Sequence, residues 1–214
     1  MIHALETRLN VWVGPDIQVA LSIVGNEDGM LSPEVDAIAH AIPKRRAEFA
    51  AGRRAARQAL RAAGLPEAAI PQGRKRAPVW PHGTIGSISH DNGLAAACVA
   101  STGTVRRLGI DLADATAFPN RIRSQILKTP AEQSQSDIEA LVTFSAKESV
   151  FKALFPDVGE YFWFDAVEVL PDLTRGTFSV RLCRDLGGHP AGMRLTGYTL
   201  RDGDRVFTLV ALVA

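Results

Sequence analysis

Three short segments of the chain carry residue types that bind phosphates and metal ions in proteins. In GSISHDNG (86–93), Ser89 and His90 stand between two glycines at a strand end, where a turn can present backbone N–H groups and an imidazole to an anion. In LGIDLAD (108–114), Asp111 follows an apolar run and a glycine, and a carboxylate so placed suits Mg²⁺, which prefers oxygen ligands. Both have plainer alternatives, because the histidine could bond a turn carbonyl and the aspartate could act as a cap.

The third segment, FSAKESVFKAL (144–154), is typical of one face of a partly buried helix. Glu148 and Lys152 are i,i+4 neighbours with Lys147 beside them, and large apolar residues flank all three. On an exposed helix such a pair contributes only about 0.3–0.5 kcal/mol, whereas the apolar flanks predict partial burial. Glu148 could then be a second metal ligand or a base, and Lys152 could neutralise charge on a transferred phosphoryl group.

Positive charge is concentrated in the first half of the chain. Ten Lys or Arg and only two acids lie between residues 44 and 76, although the formal net charge of the whole chain is +1. A local cationic patch on a nearly neutral protein favours a compact polyanion such as a nucleotide phosphate over a nucleic-acid duplex, which usually requires a basic domain. A solvated helix face is the alternative, so charge alone does not decide the function.

Secondary structure must position these residues. Residues 44–63 repeat apolar side chains at helical spacing, with four arginines along another face, until Gly64 and Pro66 end the run. The runs TIGSIS, LAAACVA and VRRLGIDL then predict a short antiparallel meander, because Asn-Gly between the first two is a strong hairpin signal.

The second half repeats this plan. Ser136 or Asp137 can cap a helix whose periodic spacing runs to Pro156, which is expected to end it. Four strand candidates follow: YFWFDAVEVL, RGTFSVRLC, MRLTGYTLR and VFTLVALVA. A helix followed by antiparallel strands, written twice, predicts an α+β protein with two similar, pseudo-twofold halves, residues 1–114 and 115–214, in one compact unit.

The composition is that of an ordinary globular protein. The chain has 214 residues, of which 46% are hydrophobic and 22% charged, enough for one large domain or two small halves. No stretch approaches the roughly 18 apolar residues that span a bilayer, and the N-terminus lacks the apolar core of a signal peptide. We therefore expect a cytoplasmic protein without a transmembrane segment, for which two internal halves make a monomer sufficient.

Taken together, the motifs resemble those of a known family. EFAAGRRAARQAL (48–60), RAPVWP (76–81), GSISHDNG, LGID and FSAKESVFKA occur in the order found in Sfp-type 4′-phosphopantetheinyl transferases, and the chain is most similar to the enterobactin synthetase component D type. The resemblance covers roughly residues 48–155 and rests on strand pattern alone beyond Pro156. It implies the 4′-phosphopantetheinyl transferase fold and an Mg²⁺-dependent enzyme.

The implied reaction carries the 4′-phosphopantetheine arm of coenzyme A onto a serine of an apo acyl or peptidyl carrier protein and releases adenosine 3′,5′-bisphosphate. Carriers of siderophore or other nonribosomal peptide and polyketide synthesis are the expected partners. In the mapping by motif, Arg53 matches the arginine that holds the 3′-phosphate, and His90 matches a phosphate-contacting histidine. Further expected coenzyme A contacts are Arg57, Lys75, Arg76, Ser89, Lys147 and Lys152.

The resemblance also implies a metal site and a catalytic group. Asp111 and Glu148 match the family's metal ligands, and Lys147 and Lys152 match the two lysines of its KExxK motif. The carrier serine is expected to attack the β-phosphorus of coenzyme A while Lys152 stabilises the transferred group. Glu148 is the candidate base for the serine proton, and Lys147 is the alternative.

One position departs from the family pattern. The family usually shows GIDxE, whereas Ala113 occupies the place of the second acid here and Asp114 follows it. Because Mg²⁺ readily retains waters, Asp111, Glu148, coenzyme A phosphate oxygens and extra waters would complete a site. A local backbone adjustment could instead recruit Asp114 as a metal ligand, although a one-residue shift on a regular strand reverses the side-chain direction.

Other assignments stay open from the sequence. The basic and apolar residues 118–128 are a candidate surface for docking the carrier, or an ordinary amphipathic loop. The same acids could serve an Mg²⁺-dependent nucleotide phosphohydrolase that uses water as the nucleophile. The arginine helix could also belong to a non-enzymatic nucleotide-binding module, although the near-neutral total charge and the Glu-Lys helix count against this function.

Overall fold

A computed structural model describes residues 2–115 and 122–213 of the chain. The contacts of the chain divide it into two compact units, Met1–Leu108 with Leu212–Ala214, and Gly109–Ala211. Asp111 and Glu148 therefore belong to the same unit, although the boundary predicted after Asp114 assigns them to different halves. Among the described residues, no helix is both long and apolar enough to cross a membrane.

The first unit contains a three-stranded sheet. Strand β3 (Leu94–Ser101) is central and pairs antiparallel with both β1 (Ile17–Ile23) and β2 (Thr84–Asp91). The β2–β3 hairpin turns at Asn92 and Gly93, both at positive φ, which confirms the hairpin predicted from Asn-Gly. The helices of this unit are α1 (Ile2–Val13), α2 (Ser32–Val35) and α3 (Pro43–Ala62).

Helix α3 is the long helix that the sequence predicts over residues 44–63. Pro43 occupies its first turn, where a missing N–H leaves no hydrogen bond unmade, and Gly64 follows its end at positive φ. Its alanines face β1 and β3, and their small size lets the helix lie close to the sheet. The resulting core cluster consists of Ala20, Ala55, Ala56, Ala59, Leu60, Ile70, Ala97 and Val99.

The second sheet has five strands in the order β4-β8-β7-β6-β5, and the pairs among β5, β6, β7 and β8 are antiparallel. The strands are β4 (Val105–Asp114), β5 (Val167–Asp172), β6 (Thr177–Leu182), β7 (Arg194–Asp202) and β8 (Arg205–Val213). The helices are α4 (Arg123–Ile126), α5 (Pro130–Gln133) and α6 (Asp137–Val158), and α6 packs against β5 and β7. Each unit thus places a long helix on antiparallel strands, which confirms the α+β class, while the pseudo-twofold relation stays a prediction.

The predicted meander is wrong in its third strand. VRRLGIDL forms β4, which pairs with β8 in the second sheet and not with β3. Both edges of β3 are already paired, because β1, a strand not predicted from the sequence, occupies the edge that a third hairpin strand would need. YFWFDAVEVL is also shorter as a strand than predicted, since a 3-10 turn at Phe164–Ala166 precedes β5.

Helix α6 begins at the predicted cap and runs past its predicted end. The Ser136 hydroxyl accepts from the N–H of Glu139, and the Glu139 carboxylate accepts from the N–H of Ser136 at 2.8 Å. Pro156 does not end the helix, which continues to Val158. Gly159 follows at a φ of 69°, and its N–H donates to the carbonyl of Phe155. A proline in the last turn removes a single backbone hydrogen bond, so the turn survives.

A glycine allows α6 to approach β4 closely. A Cβ atom on Gly109 would lie 2.0 Å from the carbonyl oxygen of Ser149 and 2.8 Å from the backbone nitrogen of Ala153. Only a residue without a side chain fits at such distances. Residues 109 and 111 face the same side of β4, so this contact brings Asp111 next to the helix.

We expect Gly109→Ala to destabilise the protein by about 3 kcal/mol, because the added methyl group must push β4 away from the α6 backbone. Urea unfolding measures the change in the free energy of unfolding. Gly103→Ala is the matched control, since its Cβ would meet only the Ser101 hydroxyl at 3.5 Å, and we expect it to change stability by less than about 0.5 kcal/mol. Equal stabilities of the two variants would contradict the close contact.

Candidate functional site

Asp111, near the end of β4, is held by two side chains of α6. Ser145 Oγ donates to Asp111 Oδ2 at 2.8 Å. Lys152 Nζ donates to Asp111 Oδ1 at 2.7 Å and to the carbonyl of Ile110 at 3.1 Å. The Asp111 side chain is 8% exposed and the Lys152 side chain 23%. Because both carboxylate oxygens have donors, the orientation of Asp111 is defined.

Glu148 adds a second carboxylate to this place. Helical spacing puts Ser145, Glu148 and Lys152 three and four residues apart on one face of α6. Burial raises the pKa of Glu148, the negative charge of Asp111 raises it further, and Lys152 opposes the rise. The structure therefore brings Asp111, Glu148 and Lys152, which the sequence singles out, within electrostatic reach of one another.

Aromatic rings shield one side of Glu148. Phe151 packs against Phe155, Tyr161 and Phe162 at centroid distances of 5.1–5.4 Å, and Glu148, Phe151 and Tyr161 line one narrow crevice. Burial and the charge of Glu148 raise the pKa of Tyr161. Tyr161 is 54% exposed and Trp163 67% exposed, so this aromatic cluster extends from the carboxylate to the solvent.

The donor set of this cluster fits Mg²⁺. Two carboxylates, Asp111 and Glu148, interact with one cation, Lys152, so a further positive charge is electrostatically favoured. Mg²⁺ prefers oxygen ligands and commonly takes one or two carboxylates together with waters and substrate phosphates. Over residues 2–115 and 122–213, no three His, Cys, Asp or Glu side chains come together as a metal site. Asp111 and Glu148 would therefore hold the ion with its other positions open to water and substrate.

The place of the family's second acid is filled by apolar packing. Ala113 packs with Leu141, Val142 and Val206. Asp114 follows on the strand, so its side chain points to the opposite face, and its carboxylate lies 3.8 Å from Arg205 Nε. The geometry thus supports a site without Asp114 and gives the predicted ligand role of Asp114 no support.

Lys147 is fully buried and faces different partners from Lys152. Its Nζ donates to the carbonyls of Ile126 and Phe164, both at 2.8 Å, and lies 2.8 Å from Glu132 Oε1. Both side chains of the Lys147–Glu132 pair are 0% exposed. Burial lowers the pKa of Lys147, and its hydrogen bond to Glu132 opposes this shift. These contacts favour a structural role for Lys147 over the catalytic and coenzyme-binding roles expected from the motif.

Glu132 joins α5, α6 and β5. Its carboxylate accepts from the backbone N–H groups of Lys128 and Thr129 at 2.8 and 3.1 Å, and from that of Val169 at 2.8 Å. Together with Lys147 these donors satisfy a carboxylate that has no exposed surface. The buried pair therefore fastens the chain before α6 to both the helix and the sheet.

Arg53 is a buried cation on α3 in the first unit. Its guanidinium lies 3.8 Å from the centroid of the Phe49 ring, and its Nε donates to the carbonyl of Ile70 at 2.8 Å. Burial lowers the pKa of Arg53 to about 10, and the charge of Glu34 opposes this shift. In the described part of the chain no carboxylate forms an ion pair with Arg53. Such a cation suits an anion like a phosphate group.

Arg57, one turn further along α3, is already paired. Its Nη1 donates to Glu34 Oε1 at 2.6 Å, and its Nη2 donates to the carbonyl of Gly29. Glu34 is 0% exposed and also accepts from the N–H groups of Leu31 and Ile70, each at 2.9 Å. The contacts of Arg57 favour a structural role over the expected nucleotide contact.

His90 forms a partly exposed cluster with two residues of α3. Arg45 Nη1 lies 2.6 Å from His90 Nε2, and since an arginine only donates, Nε2 is the acceptor. The Glu48 carboxylate lies 3.7 Å from both His90 Nδ1 and Arg45 Nη1. Ser89 precedes His90 on β2, so its side chain points to the opposite face, where it is buried.

Lys75 and Arg76 lie in a short basic loop before β2. Both adopt positive φ, 52° and 66°, which costs a non-glycine residue on the order of 1–3 kcal/mol. The N–H of Gly73 donates to the carbonyl of Ala77 at 2.7 Å and closes the loop. Backbone strain of this kind is common where a loop presents side chains to a ligand, and both side chains here are exposed.

An open groove of about 850 Å³ lies between α1, β1 and α3 of the first unit. Two of its polar side chains, Glu6 and Asn10, already bond the protein itself. Glu6 accepts from the N–H of Leu21 at 2.7 Å, and Asn10 bonds both the N–H and the carbonyl of Val19. These bonds fasten α1 to β1, so Glu6 and Asn10 serve the fold.

The region expected to dock the carrier is partly described. Residues 116–121, which include Arg121, lie outside the described residues. Arg123 donates to Asp137 Oδ1 at 2.7 Å, and the exposed Lys128 donates to the carbonyl of Ser124 at 3.1 Å. Carrier docking at residues 118–128 stays a prediction.

Several residues that the structure makes important do not stand out in the sequence: Glu34, Arg45, Glu132, Ser145 and Thr208. A capping pattern, Thr-Pro-Ala-Glu, marks Glu132 at the third position of α5, but the pattern does not predict that the carboxylate is buried. Arg45 belongs to the basic segment without standing out from its neighbours. Ser145 lies inside the FSAKESVFKAL segment, but its residue type alone indicates no metal or phosphate contact, and no local signal marks Thr208. Their contact arises between α6 and β8.

Two family models match the chain. The 4′-phosphopantetheinyl transferase N-terminal domain matches residues 33–100, and the 4′-phosphopantetheinyl transferase superfamily matches residues 107–200. The first match includes Arg53 and His90, and the second includes Asp111, Glu148 and Lys152.

Curated relatives are similar over most of the chain. The 4′-phosphopantetheinyl transferase Svp of Streptomyces mobaraensis is 38% identical over 79% of this chain and 72% of that protein. The 4′-phosphopantetheinyl transferase PptT of Mycobacterium tuberculosis is 36% identical over 65% of this chain and 64% of that protein. Enterobactin synthase component D of Salmonella typhi is 34% identical over 85% of this chain and 78% of that protein.

We expect Lys147→Met to lower the free energy of unfolding by about 3–5 kcal/mol, because it leaves the buried Glu132 carboxylate without its cation. The double variant Lys147→Met/Glu132→Gln should recover part of this loss, since no buried charge remains. Urea unfolding measures both. Arg61→Met is the control, because Arg61 pairs with Glu67 at the surface, where such a pair contributes about 1 kcal/mol or less. A Lys147→Met variant as stable as Arg61→Met would contradict the structural role.

Proposed function

This chain belongs to the 4′-phosphopantetheinyl transferase superfamily and to that class of enzyme, and we propose that it transfers the 4′-phosphopantetheine arm of coenzyme A to a serine of an apo carrier protein. The observation that carries the proposal is the partly buried cluster of Asp111, Glu148 and Lys152, two carboxylates and one cation between β4 and α6. The products are the holo carrier and adenosine 3′,5′-bisphosphate. The relatives named enterobactin synthase component D support carriers of siderophore synthesis as partners.

In the proposed reaction the serine oxygen forms a bond to the β-phosphorus of coenzyme A. The bond from that phosphorus to the oxygen it shares with the α-phosphate breaks, and the bond electrons leave with adenosine 3′,5′-bisphosphate. Glu148 takes the serine proton, because among the described residues no hydrogen bond occupies its carboxylate oxygens, whereas both oxygens of Asp111 already have donors. Lys147 is not assigned this task, since its ammonium group is enclosed by Glu132 and two carbonyls.

Electrostatic stabilisation of the transition state supplies much of the remaining rate acceleration. Mg²⁺, when held by Asp111 and Glu148, would supply the positive charge that neutralises the diphosphate. Lys152 is the mobile cation of the cluster, because its long side chain is partly exposed while Asp111 is fixed. Its ammonium group can move from Asp111 to the oxygens of the transferred phosphoryl group and stabilise the charge that develops there.

Nucleotide binding is assigned to the first unit. Arg53 holds the 3′-phosphate, since it is a buried cation without an acidic partner among the described residues. Arg45 and His90 present nitrogen atoms at the surface beside it on α3 and β2, and the strained loop presents Lys75 and Arg76. Binding at these groups orients coenzyme A and lowers the entropic cost of the reaction.

The test is mass spectrometry of apo carrier proteins after incubation with this protein, coenzyme A and Mg²⁺. We expect the carrier to gain the mass of one phosphopantetheine arm, and we expect Glu148→Gln to lower kcat/KM by about 10²–10⁴ because the base and one ligand of the divalent ion are lost. Glu160→Gln, which changes an exposed glutamate nearby in the sequence, is the control and should retain full activity. Release of adenosine bisphosphate without any carrier modification would show a phosphohydrolase instead.

Arg53→Met should raise the KM for coenzyme A by about 10-fold to 100-fold, because a charge-assisted hydrogen bond to the 3′-phosphate is lost. The sharper comparison uses dephospho-coenzyme A, which lacks that phosphate. With this substrate the wild-type protein and Arg53→Met should have similar KM values. An equal loss with both substrates would mean that Arg53 acts on the fold or on another part of the nucleotide, and circular dichroism separates these outcomes.

A further inference from the structure

A chain of three buried hydroxyl groups ends on Asp111. Ser145 Oγ lies 2.8 Å from Asp111 Oδ2 and 2.9 Å from Thr208 Oγ1 on β8. Ser149 Oγ, one turn further along α6, lies 2.7 Å from Thr208 Oγ1 and 3.0 Å from the Thr208 carbonyl oxygen. Ser145, Ser149 and Thr208 are all 0% exposed, so water does not compete for these bonds.

The direction of the hydrogen bonds follows from the carboxylate. An ionised carboxylate only accepts, so the single proton of Ser145 is directed at Asp111. Ser145 must then accept from Thr208, so the single hydroxyl proton of Thr208 is directed at Ser145. The single proton of Ser149 faces both the carbonyl oxygen and Oγ1 of Thr208, so Ser149 bonds Thr208 and lies one step further from Asp111. The hydroxyl protons of Ser145 and Thr208 are therefore directed toward Asp111 Oδ2.

We infer that Ser145 is a positioning residue, which holds Asp111 Oδ2 and thereby aims Oδ1 at the place shared by Glu148 and Lys152, where the divalent ion of the proposed function binds. Lys152 also bonds Asp111, but its side chain is partly exposed and carries a charge that a bound cation would replace. Ser145 is an uncharged and fully buried donor, so its bond to Oδ2 persists when the partner of Oδ1 changes.

The absence of an acid at residue 113 makes this positioning more important here. Ala113 contributes no ligand, so Asp111 and Glu148 alone among the described residues supply the protein oxygens. Groups that hydrogen-bond metal-ligating carboxylates typically change metal affinity by about 10-fold to 100-fold when they are removed. Because only two protein ligands would hold the ion, the orientation of each carboxylate strongly affects the metal affinity.

The test compares Ser145→Ala with Ser149→Ala, which remove the same hydroxyl group from equally buried positions one turn apart on α6. Mn²⁺ is the probe, and electron paramagnetic resonance of the free ion gives the dissociation constant without coenzyme A or carrier. We expect Ser145→Ala to raise the Mn²⁺ dissociation constant by about 10-fold or more and Ser149→Ala to change it by less than about 2-fold. Equal dissociation constants, or a wild-type protein that binds no Mn²⁺, would overturn the inference.

Activity gives a second measurement. Since only metal binding is weakened, saturating Mg²⁺ should restore the kcat of Ser145→Ala toward the wild-type value, whereas a distorted fold would not be restored. Thr208→Val removes the donor to Ser145 but keeps the side-chain shape, so it should weaken Mn²⁺ binding less than Ser145→Ala does. If Ser145→Ala does not fold, Thr208→Val takes its place in the test.

The inference rests on the proposed function for the role of the ion in the reaction. A wild-type protein that binds Mn²⁺ but modifies no carrier would refute the function and leave the role of Ser145 standing.

Discussion

The close approach of α6 to β4 at Gly109 is the constraint on which the candidate site depends. The Ser149 carbonyl occupies the space where a side chain at Gly109 would begin. Two residues further along the same face of the strand stands Asp111, within hydrogen-bond distance of both Ser145 and Lys152. A wider separation of helix and strand would break both bonds, leave a buried carboxylate without donors and separate it from Glu148. The glycine of the GID motif is therefore a packing residue, and the chemistry of the aspartate after it follows from that packing.

Each unit also contains a fully buried glutamate that pairs with a cation of its long helix. Glu34 pairs with Arg57 of α3, and Glu132 pairs with Lys147 of α6. Both glutamates lie at the third position of a four-residue helix and accept backbone N–H groups from distant segments, Ile70 in one unit and Val169 in the other. The same arrangement thus occurs twice. In each unit a buried carboxylate accepts hydrogen bonds from several chain segments, and a cation of the long helix balances its charge. Arginine and lysine are residue types that often bind ligands, but the charges of Arg57 and Lys147 pair with buried glutamates and stabilise the fold.

The candidate functional residues predicted from the sequence are those whose chemistry is local. His90, Asp111, Glu148 and Lys152 belong to short motifs in which residue type and spacing already indicate phosphate and metal binding, and the long helices follow from periodic apolar spacing. The pairing of β4 could not be predicted in this way, because it depends on β1 occupying the free edge of β3. The continuation of α6 past Pro156 could not be predicted either. A proline destabilises a helix less when it lies in the last turn, and the position of the helix end is not evident from the sequence.

The sequence by itself determined the α+β class, the two long helices, the family resemblance and the residue types at the candidate site, because each of these depends on neighbours within a few positions. Only the tertiary structure decided which charged side chains are neutralised by fully buried carboxylates. Arg53 and Arg57 stand on the same helix with the same side chain, and Lys147 and Lys152 belong to one motif, but Arg57 and Lys147 are neutralised by buried glutamates from distant parts of the chain. The role of a charged side chain depends on its burial and on its partners. Those partners come from segments that are far apart in the sequence, so the sequence alone does not show that they are close in space.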